Sequence, residues 1–123
     1  MGKKQTQTHP RSVLPRLRVM LGREIALGPG RIELLELIHA TGSLQAAARQ
    51  MKISYMRAWQ LVKFTNRCFT KPLVSAVRGG KSGGGAELTQ MGRQVVALYR
   101  KMEKQSQKAI QPAWKSLGTL LKS

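Results

Sequence analysis

The spacing of apolar residues changes along this chain, and each change predicts a different element. From Leu14 to Leu27, "LPRLRVMLGREIAL", the apolar Leu17, Val19 and Leu21 alternate with Arg16, Arg18 and Met20. That is the period of a half-buried strand, and a turn at Gly22 with a return through Ile25 and Leu27 predicts a hairpin. "GPG" at 28 to 30 breaks the pattern and puts Pro29 where a first helical turn accepts it. In "RIELLELIHAT" the residues Ile32, Leu34, Leu35 and Ile38 make one helical stripe, and Gly42 supplies a left-handed end. Ser43 caps the next helix, "SLQAAARQM", with Leu44, Ala47, Ala48 and Met51 on one side. Such small side chains let another helix approach closely, with Ala47 as the contact point.

Only Lys52 and Ile53 separate that helix from Ser54, a second capping residue that opens "SYMRAWQLVKFTNRCF". Short helix, tight turn and longer helix is the spacing of a helix-turn-helix, whose second helix enters the DNA major groove and reads base edges with its first turns. An ordinary helical hairpin has the same spacing. Charge favours the first reading, because Ala58, Leu61, Val62 and Thr65 share the inward face while Arg57, Gln60, Lys63 and Arg67 fall elsewhere. Trp59, at helical spacing from Tyr55 and Val62, is read as core rather than as a stacking platform for single strands.

After Pro72 come "LVSAV", a glycine-rich stretch and "AELT", which predict strand, loop and strand. "GKS" at 80 to 82 invites comparison with a phosphate-cradling P-loop, but that motif needs a glycine where Ser75 stands. As a wing the stretch makes sense, since its glycines allow close approach to a sugar-phosphate backbone and Arg78 and Lys81 supply charge there. Thr89 then caps a long helix, "TQMGRQVVALYRKMEKQSQKAIQ", with Met91, Val95, Leu98 and Met102 at steps of four and three. That stripe calls for a partner helix, hence a homodimer. Pro112 ends or kinks the helix and leaves an amphipathic piece carrying Trp114, Leu117, Leu120 and Leu121. The expected organisation is a basic arm over residues 1 to 12, a folded domain over 13 to 112 and an extension over 113 to 123.

Composition narrows the function. The chain has 22 Lys and Arg against five acids, Glu24, Glu33, Glu36, Glu87 and Glu103, for a net charge of +17. Such an excess repels itself in a compact state, so a polyanion is the simplest partner, and nucleic acid comes first. A membrane surface fits less well, because the cations run the length of the chain and are not gathered on one amphipathic helix. No apolar stretch approaches the ~18 residues that span a bilayer, Cys68 has no partner, and no signal peptide is present, so a cytoplasmic, nucleoid-associated location is expected. The chain contains no Asp, His9 lies in the arm and His39 near a helix end. No acid, base or nucleophile set converges and no Cys and His spacing suits a metal, so neither an enzyme nor a bound cofactor is expected.

"ISYMRAWQLV" at 53 to 62, "PLVSAVRGGKSGGGAELTQMGRQVVALY" at 72 to 99 and "GRIELLELIHATGSLQAAARQMKIS" before them resemble the DNA-binding domain of the ModE family of molybdate-dependent transcriptional regulators. The likeness runs from about Leu17 to about Gln107, and "SYxxAW" joined to a "GGKxGGGAxLT" wing is specific to that family. "GSLQAAARQMKIS" and "LTxxGR" are shared with LysR-type regulators. The resemblance implies a mainly α fold with a small β-hairpin wing: a winged helix-turn-helix with a long C-terminal dimerisation helix, binding double-stranded DNA sequence-specifically to regulate transcription. The expected DNA contacts are Ser54, Tyr55, Met56, Arg57, Gln60 and Lys63 on the helix and Arg78 and Lys81 on the wing, with Lys3 and Lys4 on the arm. Arg57 and Gln60 are expected to face the major groove. Met91, Val95, Leu98 and Met102 are expected to form the dimer. Family members that sense molybdate carry oxyanion-binding modules after the long helix, whereas this chain stops at Ser123, so no molybdate binding is expected. A nonspecific nucleoid-packaging protein has the same charge and is the alternative.

Overall fold

A computed structural model of the chain describes residues 9 to 77 and 85 to 123. Its first element is a hairpin of β1 (Val19–Leu21) and β2 (Glu24–Leu27), turning at Gly22 with φ 62°. The paired stretch is shorter than the alternation from Leu14 predicted. Burial does alternate from Val13 to Val19, but the register slips at Val19 and Met20, with Ala26 as the extra residue on β2. A bulge of this kind resets which face each side chain takes. It leaves Ala26 and Leu27 both buried, while Leu21, expected to point inward, lies exposed at the turn opposite Glu24.

Three helices follow: α1 (Pro29–Thr41), α2 (Leu44–Met51) and α3 (Tyr55–Cys68). The caps act as their chemistry requires. The Ser43 hydroxyl accepts from the Ala46 amide and the Ser54 hydroxyl from the Arg57 amide, both at 3.0 Å. Gly42 ends α1 at φ 69°, and its amide donates to the Ile38 carbonyl at 2.8 Å. The turn between α2 and α3 is tighter. Lys52 holds φ 61°, a conformation that costs a side-chain-bearing residue ~1 kcal/mol, and the Ile53 amide bonds back to the Ala48 carbonyl at 3.1 Å. Ala47, Ala48 and Ala58 are buried where these helices meet, so the small side chains do set the close approach.

The core is completed from the C-terminal half. β3 (Val74–Val77) pairs antiparallel with β4 (Gly85–Leu88) in the register Val74 to Leu88 through Val77 to Gly85. Asn66, near the end of α3, ties down the base of this wing: its side-chain oxygen accepts from the Leu73 and Val74 amides at 2.8 and 3.1 Å, and its side-chain nitrogen donates to the Val74 carbonyl at 3.1 Å. The Ala86 amide bonds to the Gly42 carbonyl at 3.1 Å, which fixes β4 against the end of α1. Ile32, Leu34, Leu35 and Ile38 of α1 pack with Leu73, Ala86 and Leu88 in one apolar cluster.

Thr89 caps α4 (Gln90–Ala109), accepting from the Gly92 amide at 3.0 Å while its hydroxyl donates to the Pro72 carbonyl at 2.7 Å. Tyr99 is buried and its phenol donates to the Leu17 carbonyl at 2.6 Å, which locks the N-terminal segment against α4. Burial pushes that phenol's pKa up, with the Glu103 carboxylate adding to the shift. A short α5 (Gln111–Gly118) carries Pro112 in its first turn, as the proline break predicted. The last residues of the expected arm lie beside it, with Arg11 donating to the Gly118 carbonyl at 3.1 Å. The molecule is mainly helical with a small antiparallel wing, a winged-helix arrangement.

Candidate nucleic-acid interface

No acidic residue lies between Glu36 and Glu87, a span that holds Arg49, Lys52, Arg57, Lys63, Arg67 and Lys71 and includes all of α2, α3 and β3. The face built from these elements is therefore cationic whatever the side-chain rotamers. α3 is its centre. Ala58, Val62 and Thr65 are buried, and that inward face turns Met56, Gln60, Lys63 and Arg67 outward to form the crest.

Two flanks run beside the crest, and tertiary structure gives them different chemistry. On the wing side, Tyr55 and Trp59 line an open groove of about 660 Å³ whose other walls are the start of α2 and the strands β3 and β4. Tyr55 is 53% exposed, Met56 58% and Trp59 41%. The expectation that Trp59 is a core residue is thus corrected: the inward face of α3 is taken by Ala58, Val62 and Thr65, and the Trp59 ring lies at the surface beside the Lys63 ammonium, 4.3 Å from the ring centre. Large apolar side chains left exposed in a cluster mark an interaction surface more often than chance. On the other side, Arg57 and Leu61 border a cleft of about 700 Å³ with Arg16, Arg18 and Arg31.

The expected contacts fare unevenly. Tyr55, Met56, Arg57, Gln60 and Lys63 are all exposed on α3, but Arg57 leaves the crest for the cleft flank. The Ser54 hydroxyl is occupied as a helix cap. Arg78 and Lys81, like Lys3 and Lys4, lie outside the described residues. Of the stripe on α4, Met91 and Val95 pack half-buried against the core, while Leu98 is 51% and Met102 40% exposed. The first turns of α4 lie over the wing base and the later ones run past it. Val95, Leu98, Tyr99 and Met102 border a shallow apolar depression of about 140 Å³ with Val19, Leu27 and Phe69.

The pattern of the sequence did not bring Arg16, Arg18 and Arg31 to this site. Arg16 and Arg18 share one side of an alternating segment, which was legible, but nothing local says that this side faces the flank of α3. Among the described residues no group of His, Cys, Asp and Glu is placed to hold a metal, and no helix is long and apolar enough to cross a membrane.

No family model matches the chain. Curated relatives do. It is 44% identical over 85 residues to the molybdenum transport protein ModE of Azotobacter vinelandii, which covers 69% of this chain and 32% of that protein. It is 42% identical over 92 residues to the molybdenum-pterin-binding protein MopB of Rhodobacter capsulatus, covering 75% and 34%. With the DNA-binding transcriptional dual regulator ModE of Escherichia coli K12 it shares 37% over 93 residues, 76% of this chain and 36% of that one. The chain is similar to one part of each. It spans about a third of the length of these relatives, whose names describe transport, molybdenum-pterin binding and transcription regulation rather than catalysis.

Proposed function

We propose that this chain is a DNA-binding module of a transcriptional regulator that holds double-stranded DNA as a two-fold dimer. The observation that carries the reading is α3: a capped helix, free of acids, with its polar crest turned out beside a wing in a chain of net charge +17. Likeness to a regulator named as DNA-binding adds support. In this reading Tyr55, Met56 and Gln60 address base edges in the major groove, a glutamine being suited to the two-point contact with adenine. Lys63 and, on the segment joining β3 to β4, Arg78 and Lys81 meet phosphates and carry little sequence information. Leu98 and Met102, continued by the half-buried Met91 and Val95, pack against their copies in a second chain.

Charge alone also suits a packaging protein that binds any duplex, and the two readings separate in one experiment. Selection of bound sequences from a random duplex pool is expected to enrich an imperfect inverted repeat, with half-sites ~34 Å apart or a multiple of that spacing. A pool that remains random after several rounds supports the packaging protein instead.

A further inference from the structure

The cleft on the far flank of α3 gathers four arginines without a carboxylate. Arg16 and Arg18 come from the segment entering β1, Arg31 from the first turn of α1 and Arg57 from the first turns of α3, over a floor of Ile25, Met51, Ile53 and Leu61. The acids are elsewhere: among the described residues the only ion pairs join Arg100 to Glu36 and Glu103. Like charges held above an apolar floor repel one another and focus their field outward, which is the arrangement that concentrates an anion. Arg31 is partly committed, since one guanidinium nitrogen donates to the Ile25 carbonyl and the group stacks on Phe64 at 5.2 Å. Its Nε is nevertheless buried without a partner. The start of α1 at Gly28 has no side-chain cap, so the amides of Gly30 and Arg31, which follow the N–H-less Pro29, add to the positive field.

We propose that this cleft seats a backbone phosphate of the DNA strand opposite the one met by the wing, and that Arg57 is a phosphate-positioning residue rather than a reader of bases. The inference rests on the DNA-binding reading above. A major groove is walled by two sugar-phosphate backbones, ~12 Å apart, so a helix lying in it has one wall on each flank. The wing lies on the Trp59 flank of α3, and the arginine cleft lies on the Arg57 flank. The phosphate of the second wall therefore meets Arg18 and Arg57, while Met56 and Gln60 on the crest are left to read the bases.

The test uses the full chain, a duplex obtained by selection and a scrambled duplex, titrated by fluorescence anisotropy across a salt series. Arg18→Gln and Arg57→Gln are each expected to weaken both duplexes by the same factor and to flatten the slope of log K against log salt by ~0.9, the value for one lost phosphate contact. Arg57→Lys should restore the slope and the affinity, because an ammonium serves a phosphate as a point charge but cannot reproduce a two-point guanine contact. An unchanged slope in Arg57→Gln overturns the assignment. So does a preference for the selected duplex that falls about ten-fold or more in Arg57→Lys, the size expected of a lost base contact. If the unaltered chain binds no duplex at all, the DNA reading itself fails and the cleft assignment falls with it.

Discussion

Gly92 stands where α4 crosses the Leu73 carbonyl, and a Cβ built there overlaps that oxygen and its carbonyl carbon. The same carbonyl accepts the Thr89 amide at 2.9 Å, so it is not free to move aside. Gly92→Ala is accordingly expected to cost about 3 kcal/mol, the upper part of the range for forcing a methyl into a packed site, read as a lower midpoint in urea unfolding. The glycine was visible in "LTQMGR"; its reason was not, because the contact joins residues far apart in sequence. Trp59 teaches the reverse. Its spacing on the helix suited a core position, but helical periodicity ranks faces only relative to one another, and the boundary between buried and exposed is set by what packs alongside. With alanine at position 58 and the wing at a distance across a groove, the larger ring stayed outside.

Between elements, one tie connects α1 to α4. Arg100 donates to both carboxylate oxygens of Glu36, with 2.9 Å for its Nε contact, and to Glu103 at 2.6 Å. These hydrogen bonds hold the Glu36 carboxyl below its ordinary value of 4.5 and raise the Arg100 guanidinium. A carboxyl whose folded pKa is depressed contributes stability above its unfolded value, and that contribution is lost as pH falls through the folded pKa. Both side chains are partly exposed, so the effect is modest and screened by salt. Glu36→Gln should make the fall in melting temperature below about pH 5 shallower than in the unaltered chain, with little change in slope near neutrality. An acid limb identical in the two proteins would show that the pair adds nothing. The charges of this network were all legible in the chain, but their pairing required α1 and α4 to be adjacent.

At the scale of the whole molecule, the apolar stripe on α4 divides into a part that the domain covers and a part that it leaves open. Met91 and Val95 serve the fold, so a change there would disturb stability along with the proposed assembly. Leu98 and Met102 are exposed and offer a cleaner probe. Leu98→Glu is expected to leave the unfolding free energy of the separated chain within about 1 kcal/mol of the unaltered value while shifting sedimentation from the proposed dimer to monomer. Loss of the second half-site should then lower affinity for an inverted repeat by about a hundred-fold, the smaller end of what linked binding provides. A dimer that persists in Leu98→Glu places the two-fold contact on another surface.

The helices, their caps and the wing strands followed from local chemistry: serine and threonine at helix starts, Gly42 with positive φ, and apolar residues at helical or alternating spacing. These signals act over a few residues, so one chain suffices to read them. The crest of α3 was legible for the same reason, since Gln60 and Lys63 lie opposite Ala58 and Thr65 on any helix. What tertiary structure alone decided is which neighbours the flanks receive. The bulge at Ala26 buried that residue beside Leu27, Asn66 fastened the wing beside Trp59, and the segment before β1 brought Arg16 and Arg18 to Arg57. Each depends on contacts between residues distant in sequence, where burial of the whole core sets the geometry and no local pattern records it.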